Sequence, residues 1–294
     1  MAESLGTIFT AMVTPFDADL KVDHKRLADL ARFLVDQGSE GLVVAGTTGE
    51  SPTLIDEEKI AMTATVLEAV GDRSTVIVGS GSNDTAHSVN LTRLAEREGA
   101  HGVLVVTPYY NKPPERGLIE HFRAVAGATS LPLIVYNIPG RCGVNLSPEA
   151  LATLFEVPNI VAVKQANPDF TETLRLRELC PDMGVYAGND DMLLDVLRVG
   201  GWGGICVASH VVGPQLAEMA RLMRAGDEAG AAVLNDHLKP LYETLFITAN
   251  PIPVKTAMNL LGHEVGGLRL PLVAATEAET TAVAAELRRL GLLS

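Results

Sequence analysis

Short apolar runs rich in valine and isoleucine recur along the chain, separated by longer amphipathic stretches. The runs cover residues 7–13, 41–45, 75–79, 103–106, 133–136, 160–163, 185–187 and 204–207. They are continuous rather than alternating, which is typical of strands buried on both faces of a parallel sheet. Their starts lie about 20 to 34 residues apart, the spacing of repeated strand–helix units. The pattern therefore predicts eight parallel strands.

The stretches between these runs carry signals that start and end helices. Asp23 stands before a segment whose apolar residues recur three and four positions apart, and Ser147 stands before a proline. Both are expected N-caps, because their side chains accept hydrogen bonds from the first free amides of a helix. Gly38, Gly71 and Gly99 fall where the preceding helices should end. Strands and helices are thus predicted to alternate.

Two architectures fit eight strands with intervening helices: a closed barrel and an open, doubly wound sheet. No Gly-x-Gly-x-x-Gly follows the first strand, and no Walker-type loop is present, which weakens the open-sheet, nucleotide-binding interpretation. Residues 214–293 have a helical pattern, broken at 250–253 and near 262–271. We therefore predict an α/β fold, a (β/α)8 TIM barrel in residues 1–225 with an appended C-terminal helical region in residues 226–294 packed on the barrel.

The amino-acid composition limits which binding partners and which cellular compartment are expected. The chain has 294 residues, is 47% hydrophobic and carries a net charge of −13, with no run of basic residues longer than two. A nucleic-acid or membrane partner is therefore not expected, because phosphate contacts need clustered positive charge. Cys142, Cys180 and Cys206 lie too far apart for a zinc site or a disulfide framework. We expect a cytoplasmic enzyme without a metal.

The catalytic residues of a barrel are expected at the carboxyl ends of its strands. The predicted ends carry one lysine, one arginine and several hydroxyl groups, but no histidine and no cluster of carboxylates. A metal site and a paired-carboxylate glycosidase are therefore poorly supported. Lysine with tyrosine and threonine indicates amine chemistry on a carbonyl group. The polar residues at these ends are Thr14, Thr47, Thr48, Glu50, Ser80, Thr107, Tyr109, Tyr110, Asn111, Tyr136, Asn137, Arg141, Lys164, Asn189, Asp190 and Ser209.

Lys164 is the candidate nucleophile among the seven lysines. It follows the buried run 160–163, whereas most of the others lie in polar segments. Burial should lower the pKa of its amine from about 10.4 towards neutrality, which gives the neutral amine that a Schiff base requires. The alternative is a structural lysine paired with a carboxylate. Lys255 competes for the catalytic role, but it follows the barrel strands, so we expect a structural salt bridge there.

Three further features have a functional and a plainer interpretation. The loop Gly46-Thr-Thr-Gly-Glu50 offers amides and hydroxyls that could hold a carboxylate, or it is only a turn with a helix cap. Arg141 could form a two-pronged contact with a second carboxylate, or it is a surface residue. Tyr109, Tyr110 and Tyr136 could be core or interface aromatics, or a tyrosine beside a threonine could relay protons to the lysine adduct.

Several long motifs, in order along nearly the whole chain, resemble the dihydrodipicolinate synthase family. This family belongs to the pyruvate-dependent class I aldolases, which also include the N-acetylneuraminate lyases. The segments that carry the resemblance are Thr10-Ala-Met-Val-Thr-Pro-Phe16, Gly46-Thr-Thr-Gly-Glu-Ser51, Val106-Thr-Pro-Tyr-Tyr-Asn111, Tyr136-Asn-Ile-Pro-Gly-Arg141, Val163-Lys164, Asn250-Pro-Ile-Pro-Val-Lys255 and Leu268-Arg-Leu-Pro271.

The resemblance implies a lyase that condenses pyruvate with L-aspartate 4-semialdehyde to 4-hydroxy-tetrahydrodipicolinate, in diaminopimelate and lysine biosynthesis. It also implies a homotetramer with no organic cofactor and no catalytic metal. Lys164 would form the imine, and Tyr136, Thr47 and Tyr110 would relay protons, with Tyr110 reaching the site of a neighbouring subunit. The expected substrate contacts are Thr48 for the pyruvate carboxylate, Arg141 for the semialdehyde carboxylate, the backbone of Ile205, and Gly188 at the pocket wall.

Arg141 separates the alternatives within the superfamily. Sialate lyases resemble this chain at the glycine–threonine loop and at the lysine, but lack an arginine at this position. Two alternatives stay open: a sugar-acid aldolase, and a barrel that binds a small molecule without turning it over. The lysine, both threonines, two tyrosines and the arginine together argue against a non-catalytic barrel.

The chain departs from the family pattern at two places. Gln165 replaces the acidic residue that commonly follows the lysine. At the inter-subunit effector site, Asn83 and Tyr109 are present, but His87 replaces the acidic residue that meets the ammonium of the inhibitor lysine. Asp56 and Lys59 stand where histidines are common. We therefore hypothesise that lysine inhibits this chain weakly or not at all.

Overall fold

A closed barrel of eight parallel strands forms the centre of the computed structural model, which describes residues 5–294. Every predicted run overlaps one of the eight strands. Because β8 pairs with β1, the open doubly wound sheet is excluded. The strands are β1 (Ile8–Ala11), β2 (Gly41–Val44), β3 (Thr75–Gly79), β4 (Gly102–Val106), β5 (Leu133–Asn137), β6 (Ile160–Gln165), β7 (Gly184–Ala187) and β8 (Gly203–Cys206).

Helices alternate with the strands, and the predicted N-caps are confirmed. Asp23 accepts a hydrogen bond from the amide of Arg26, and Ser147 accepts one from the amide of Ala150. Gly99 ends its helix in the left-handed conformation at φ 92°. The helices are α1 (His24–Asp36), α2 (Asp56–Val70), α3 (Thr85–Glu98), α4 (Glu115–Ala126), α5 (Pro139–Cys142), α6 (Pro148–Phe155), α7 (Phe170–Leu179), α8 (Leu193–Arg198), α9 (Ser209–Arg224), α10 (Glu228–Thr244), α11 (Ile252–Leu260) and α12 (Glu277–Arg289).

Two apolar layers hold the barrel together. Alternate strand residues point inwards, so Phe9, Tyr186 and Ile205 belong to one fully buried cluster inside the barrel. The outward-facing strand residues pack against the helices in a second, larger cluster. Where β8 meets the start of β1, position 203 requires glycine. Its φ is +150°, and a Cβ atom there would overlap the carbonyl oxygen of Thr7.

In the region after α9, α10 packs against α8 and α9, α11 packs against α9, and α12 packs on α10 and α11. α11 begins at Ile252, inside the predicted break, and its Lys255 reaches the segments that follow β1 and β2. The appended helices therefore contact the face of the barrel where the strands end. The predicted division after residue 225 stays a prediction. None of the helices within residues 5–294 is long and apolar enough to cross a membrane.

Candidate active site

Lys164 lies on the inner side of β6, near the carboxyl end of the strand. Its side chain is only 5% exposed, and Nζ lies 4.3 Å from the centre of the Tyr136 ring. Tyr136 is its register partner on β5, so strand pairing sets this contact. Burial lowers the pKa of Lys164 to about 8, against the opposing effects of Cys206 and Asp190. The expected fall towards neutrality is thus supported by the geometry.

Tyr136 keeps its proton at neutral pH. Burial raises the pKa of its phenol to about 12, while the charge of Arg141 and a hydrogen bond with Thr47 lower it. A protonated phenol beside a partly neutral amine can donate a proton to an oxygen atom that leaves the carbon attacked by that amine. Tyr136 also belongs to the inner apolar cluster of the barrel, so its role as a proton donor stays a prediction.

The loop 46–50 is a tight turn at the end of β2. The amide of Gly49 donates to the carbonyl of Gly46 at 3.1 Å, and the hydroxyl of Thr14 donates to the carbonyl of Gly49 at 2.6 Å. Thr48 is buried and Thr47 is half-buried. α2 begins only at Asp56, so the loop is not the N-cap of that helix. The loop leads at once into the 3-10 turn Ser51–Thr53, with Glu50 at the N-cap but without a side-chain cap, so the predicted role of the two threonine hydroxyls in holding a carboxylate stays a prediction.

Three more predicted residues surround the mouth of the barrel. Arg141 is exposed on α5, directly after β5, and its charge acts on both Tyr136 and Lys164. Ile205 is fully buried in β8, within the same inner cluster as Tyr136. Gly188 follows β7, and a Cβ atom there would lie 2.6 Å from the Cβ of Ala166. A side chain at position 188 would therefore displace the end of β6.

Tyr110 stands apart from this group within one chain. It is 89% exposed and has a left-handed backbone at φ 71° in the loop that follows β4. Such a conformation is uncommon for a bulky residue and holds the ring outwards. Its ring is therefore largely exposed in the single chain, and its role in the site of a neighbouring subunit stays a prediction.

The predicted effector residues lie where α2, α3 and the loop after β4 meet. His87 Nε2 lies 2.9 Å from the Asp56 carboxylate, and Lys59 Nζ lies 3.6 Å from it. The backbone oxygen of Asn83 accepts a hydrogen bond from Asn111, two residues after Tyr109. Asp56 is therefore already engaged by two basic side chains of its own chain.

Gln165 faces away from the active site, on the outer side of β6. It is fully buried, and its Oε1 accepts a hydrogen bond from Asn137 Nδ2 at 3.0 Å. Asn137 also accepts from the amide of Leu146. Gln165 therefore links the outer faces of β5 and β6 through a hydrogen bond. Its side chain carries no charge, unlike the acidic residue expected after the lysine.

Asp190 was not assigned a role from the sequence. Its buried carboxylate accepts hydrogen bonds from the amides of Val207 and Ala208 at 2.9 and 2.8 Å, and so fixes the turn after β8. Burial raises its pKa, and its charge acts on Lys164. The sequence feature that could have pointed to Asp190 is its position as an acidic residue shortly after the end of β7. No group of three or more metal-ligating side chains occurs within residues 5–294.

Lys255 forms the structural salt bridge that its position predicted. Its Nζ donates to Glu50 Oε1 and to the carbonyl of Thr14, each at 2.9 Å, and also to the carbonyl of Gly267. Both charged side chains are buried, at 2% and 0% exposure. Lys255 is therefore held away from the carbonyl chemistry, and Lys164 is left as the candidate nucleophile.

A buried lysine beside a protonated tyrosine, at the strand ends of a (β/α)8 barrel, defines a class of enzyme that can form an imine with a carbonyl substrate. Residues 4–290 match the dihydrodipicolinate synthetase family, and the chain belongs to that family. The 4-hydroxy-tetrahydrodipicolinate synthase of Moorella thermoacetica is 52% identical over 98% of this chain and 99% of its own length.

Solved structures are similar over the same extent. A dihydrodipicolinate synthase from Cyanidioschyzon merolae with lysine bound covers 99% of this chain and all of its own, with a TM-score of 0.97 and 40% identity. A chloride-inhibited relative from Acinetobacter baumannii, complexed with pyruvate, covers 98% of this chain and 99% of its own, with a TM-score of 0.94 and 38% identity. The predicted family, barrel and C-terminal helices are confirmed.

Proposed function

We propose that this chain condenses pyruvate with L-aspartate 4-semialdehyde to form 4-hydroxy-tetrahydrodipicolinate, a step towards diaminopimelate and lysine. The full-length similarity to the Moorella enzyme supports the reaction, and the pyruvate complex of the Acinetobacter relative supports the first substrate. The single observation that carries the chemistry is the burial of Lys164, which brings the pKa of its amine to about 8.

The reaction begins when Lys164 Nζ attacks the keto carbon of pyruvate, and the keto oxygen leaves as water. With a pKa of about 8, roughly a tenth of the lysine is neutral at pH 7, compared with about 0.03% for an unburied lysine. The imine then loses a proton from the methyl carbon and becomes an enamine. The enamine attacks the aldehyde carbon, and the substrate amine closes the ring and displaces Lys164.

Proton transfer in these steps is assigned to hydroxyl groups. Tyr136 donates a proton to the departing oxygen, because its raised pKa keeps the phenol protonated. Thr47, hydrogen-bonded to Tyr136, passes the proton on. Tyr110 completes the relay in a neighbouring copy, and its 89% exposure supports this role. Shared sites of this kind require an oligomer, for which we propose a homotetramer.

Substrate binding is assigned to the remaining residues at the mouth of the barrel. Thr48, with Thr47, holds the carboxylate of pyruvate, and the backbone of Ile205 contacts the bound keto acid. Arg141 binds the carboxylate of the semialdehyde, and its exposed position at the entrance suits the second substrate. Gly188 forms the wall that must stay free of a side chain. No organic cofactor or metal is assigned a role, and the proposed compartment is the cytoplasm.

Borohydride reduction in the presence of pyruvate tests the proposal directly. Intact mass and peptide mapping should locate one reduced pyruvyl group on Lys164, and Lys164→Met should abolish it. Lys239→Met, at an exposed lysine paired with Asp236, serves as the matched control and should be labelled like the native protein. A coupled assay with aspartate semialdehyde should then show condensation. Labelling without condensation would instead support an aldolase acting on a different aldehyde.

A further inference from the structure

We propose that Asn250, in the segment between α10 and α11, is a positioning residue for pyruvate. It donates a hydrogen bond to the Thr48 hydroxyl and so directs the hydrogen of that hydroxyl towards the substrate carboxylate. The inference rests on the proposed role of Thr48. It gives the appended C-terminal region a part in substrate binding beyond packing on the barrel.

The contact between the two side chains is short and buried. Asn250 Nδ2 lies 3.0 Å from Thr48 Oγ1, across 202 positions of sequence. Asn250 is 6% exposed and Thr48 is 3% exposed, so water competes poorly for this bond. Because both groups are buried, water cannot take the place of either partner, and loss of the bond leaves a buried polar group unsatisfied.

A hydroxyl has one hydrogen to donate and two lone pairs to accept. The amide of Asn250 occupies a lone pair of Thr48, and the hydroxyl hydrogen of Thr48 has no protein acceptor within residues 5–294. That hydrogen is therefore available for an acceptor that the protein does not supply. A carboxylate accepts such bonds strongly, which matches the anion expected at this loop.

The other end of the same loop is fixed by the same part of the chain. Lys255 in α11 holds Glu50 Oε1 at 2.9 Å, and the amide of Arg269 donates to Glu50 Oε2 at 3.0 Å. Asn250 and Lys255 therefore restrain the loop at Thr48 and at Glu50. Lys255 holds the carboxylate of Glu50, whereas Asn250 reaches the hydroxyl of Thr48, so the contribution specific to Asn250 is the orientation of that hydroxyl.

Two substitutions separate orientation from packing. Asn250→Ala removes the donor, and Asn250→Asp keeps the shape but offers only acceptor atoms, which would capture the Thr48 hydrogen and repel a carboxylate. We expect KM for pyruvate to rise roughly tenfold in the first variant and further in the second, as for the loss of one hydrogen bond to a charged group. KM for the aldehyde should be unchanged in both variants.

Asn259→Ala is the matched control, because Asn259 is an exposed asparagine of α11 that bonds the carbonyl of Gly266. It should leave both KM values as they are in the native enzyme. A change that is equal for both substrates, or an Asn250→Asp variant that binds pyruvate as well as Asn250→Ala does, would overturn the proposal.

A double-mutant cycle with Thr48→Ala tests the route of the effect. If Asn250 acts through Thr48, Asn250→Ala should raise KM for pyruvate in the native background and leave it unchanged in the Thr48→Ala background. Equal effects in both backgrounds would refute the positioning role. Borohydride labelling of the unsubstituted enzyme keeps the two ideas apart: absent labelling refutes the proposed function, whereas normal labelling with an unchanged KM in Asn250→Ala refutes this inference alone.

Discussion

Replacing the candidate nucleophile should make the protein more stable. Lys164 is charged at pH 7 in the folded and the unfolded chain, but only the folded chain holds the charge in a buried site. Its pKa falls from the ordinary value of 10.5 to about 8 on folding. This fall corresponds to a destabilisation of about 3 kcal/mol at pH 7, since a tenfold change in proton affinity is worth about 1.4 kcal/mol. Lys164→Met removes that cost and keeps an unbranched apolar chain in place.

The dependence on pH identifies ionisation as the cause. The cost is fully present below pH 8 and disappears as the pH rises through 10.5, because the unfolded chain then also loses its proton. The stability advantage of Lys164→Met should therefore shrink to about 2 kcal/mol at pH 9. Urea unfolding at equal protein concentration, at pH 7 and pH 9, measures both values. Lys239→Met, at an exposed lysine, should show no such advantage. A Lys164→Met variant less stable than the native protein at pH 7 would contradict the reasoning.

Three further outcomes follow from the same contacts. The rate of imine formation with pyruvate should rise about tenfold per pH unit up to about pH 8 and then level off, because only the neutral amine of Lys164 attacks. Stopped-flow measurements from pH 6 to 8 test this, and a rate that does not change with pH would contradict it. Lys255→Met should lower the free energy of unfolding by about 3–5 kcal/mol, since it leaves the Glu50 carboxylate buried and unpaired. Urea titration measures this loss, and a change below about 1 kcal/mol would contradict the prediction. Added L-lysine should inhibit steady-state turnover weakly or not at all, because His87 stands at the position of the expected acid and engages Asp56 itself; inhibition at sub-millimolar lysine would refute this.

Much of the fold was predictable because it depends on local patterns. Continuous apolar runs marked all eight strands, and Asp23 and Ser147 marked helix starts, since these signals need no distant partner. The end of β6 was missed: the strand continues through Lys164 to Gln165, because β5 and β7 pair with those residues whatever their polarity. The sequence also could not show that Gln165 turns outwards to Asn137.

The site was predictable where residues share strand ends and unpredictable where they meet across the chain. Lys164 and Tyr136 are brought together by neighbouring strands, so barrel geometry alone implied their proximity. Asn250 reaches Thr48 across 202 positions, and Asp190 holds the turn after β8, and neither contact has a local signature. Contacts of this kind depend on how the appended helices and the loops pack, which periodicity does not encode.

Burial alone does not make a lysine a nucleophile, as Lys164 and Lys255, two of the three buried lysines within residues 5–294, demonstrate. Burial lowers the pKa of both amines. Lys255 has Glu50 at 2.9 Å and two backbone carbonyls, so its hydrogens are all engaged and its charge is matched. Lys164 forms no salt bridge within residues 5–294, although each amine lies 4.3 Å from the centre of an aromatic ring, that of Tyr136 for Lys164 and that of Phe16 for Lys255. Lys255 is therefore matched by a hydrogen-bonded carboxylate, whereas Asp190 acts on Lys164 only through its charge, so burial lowers the pKa of Lys164 to about 8 and leaves part of its amine neutral.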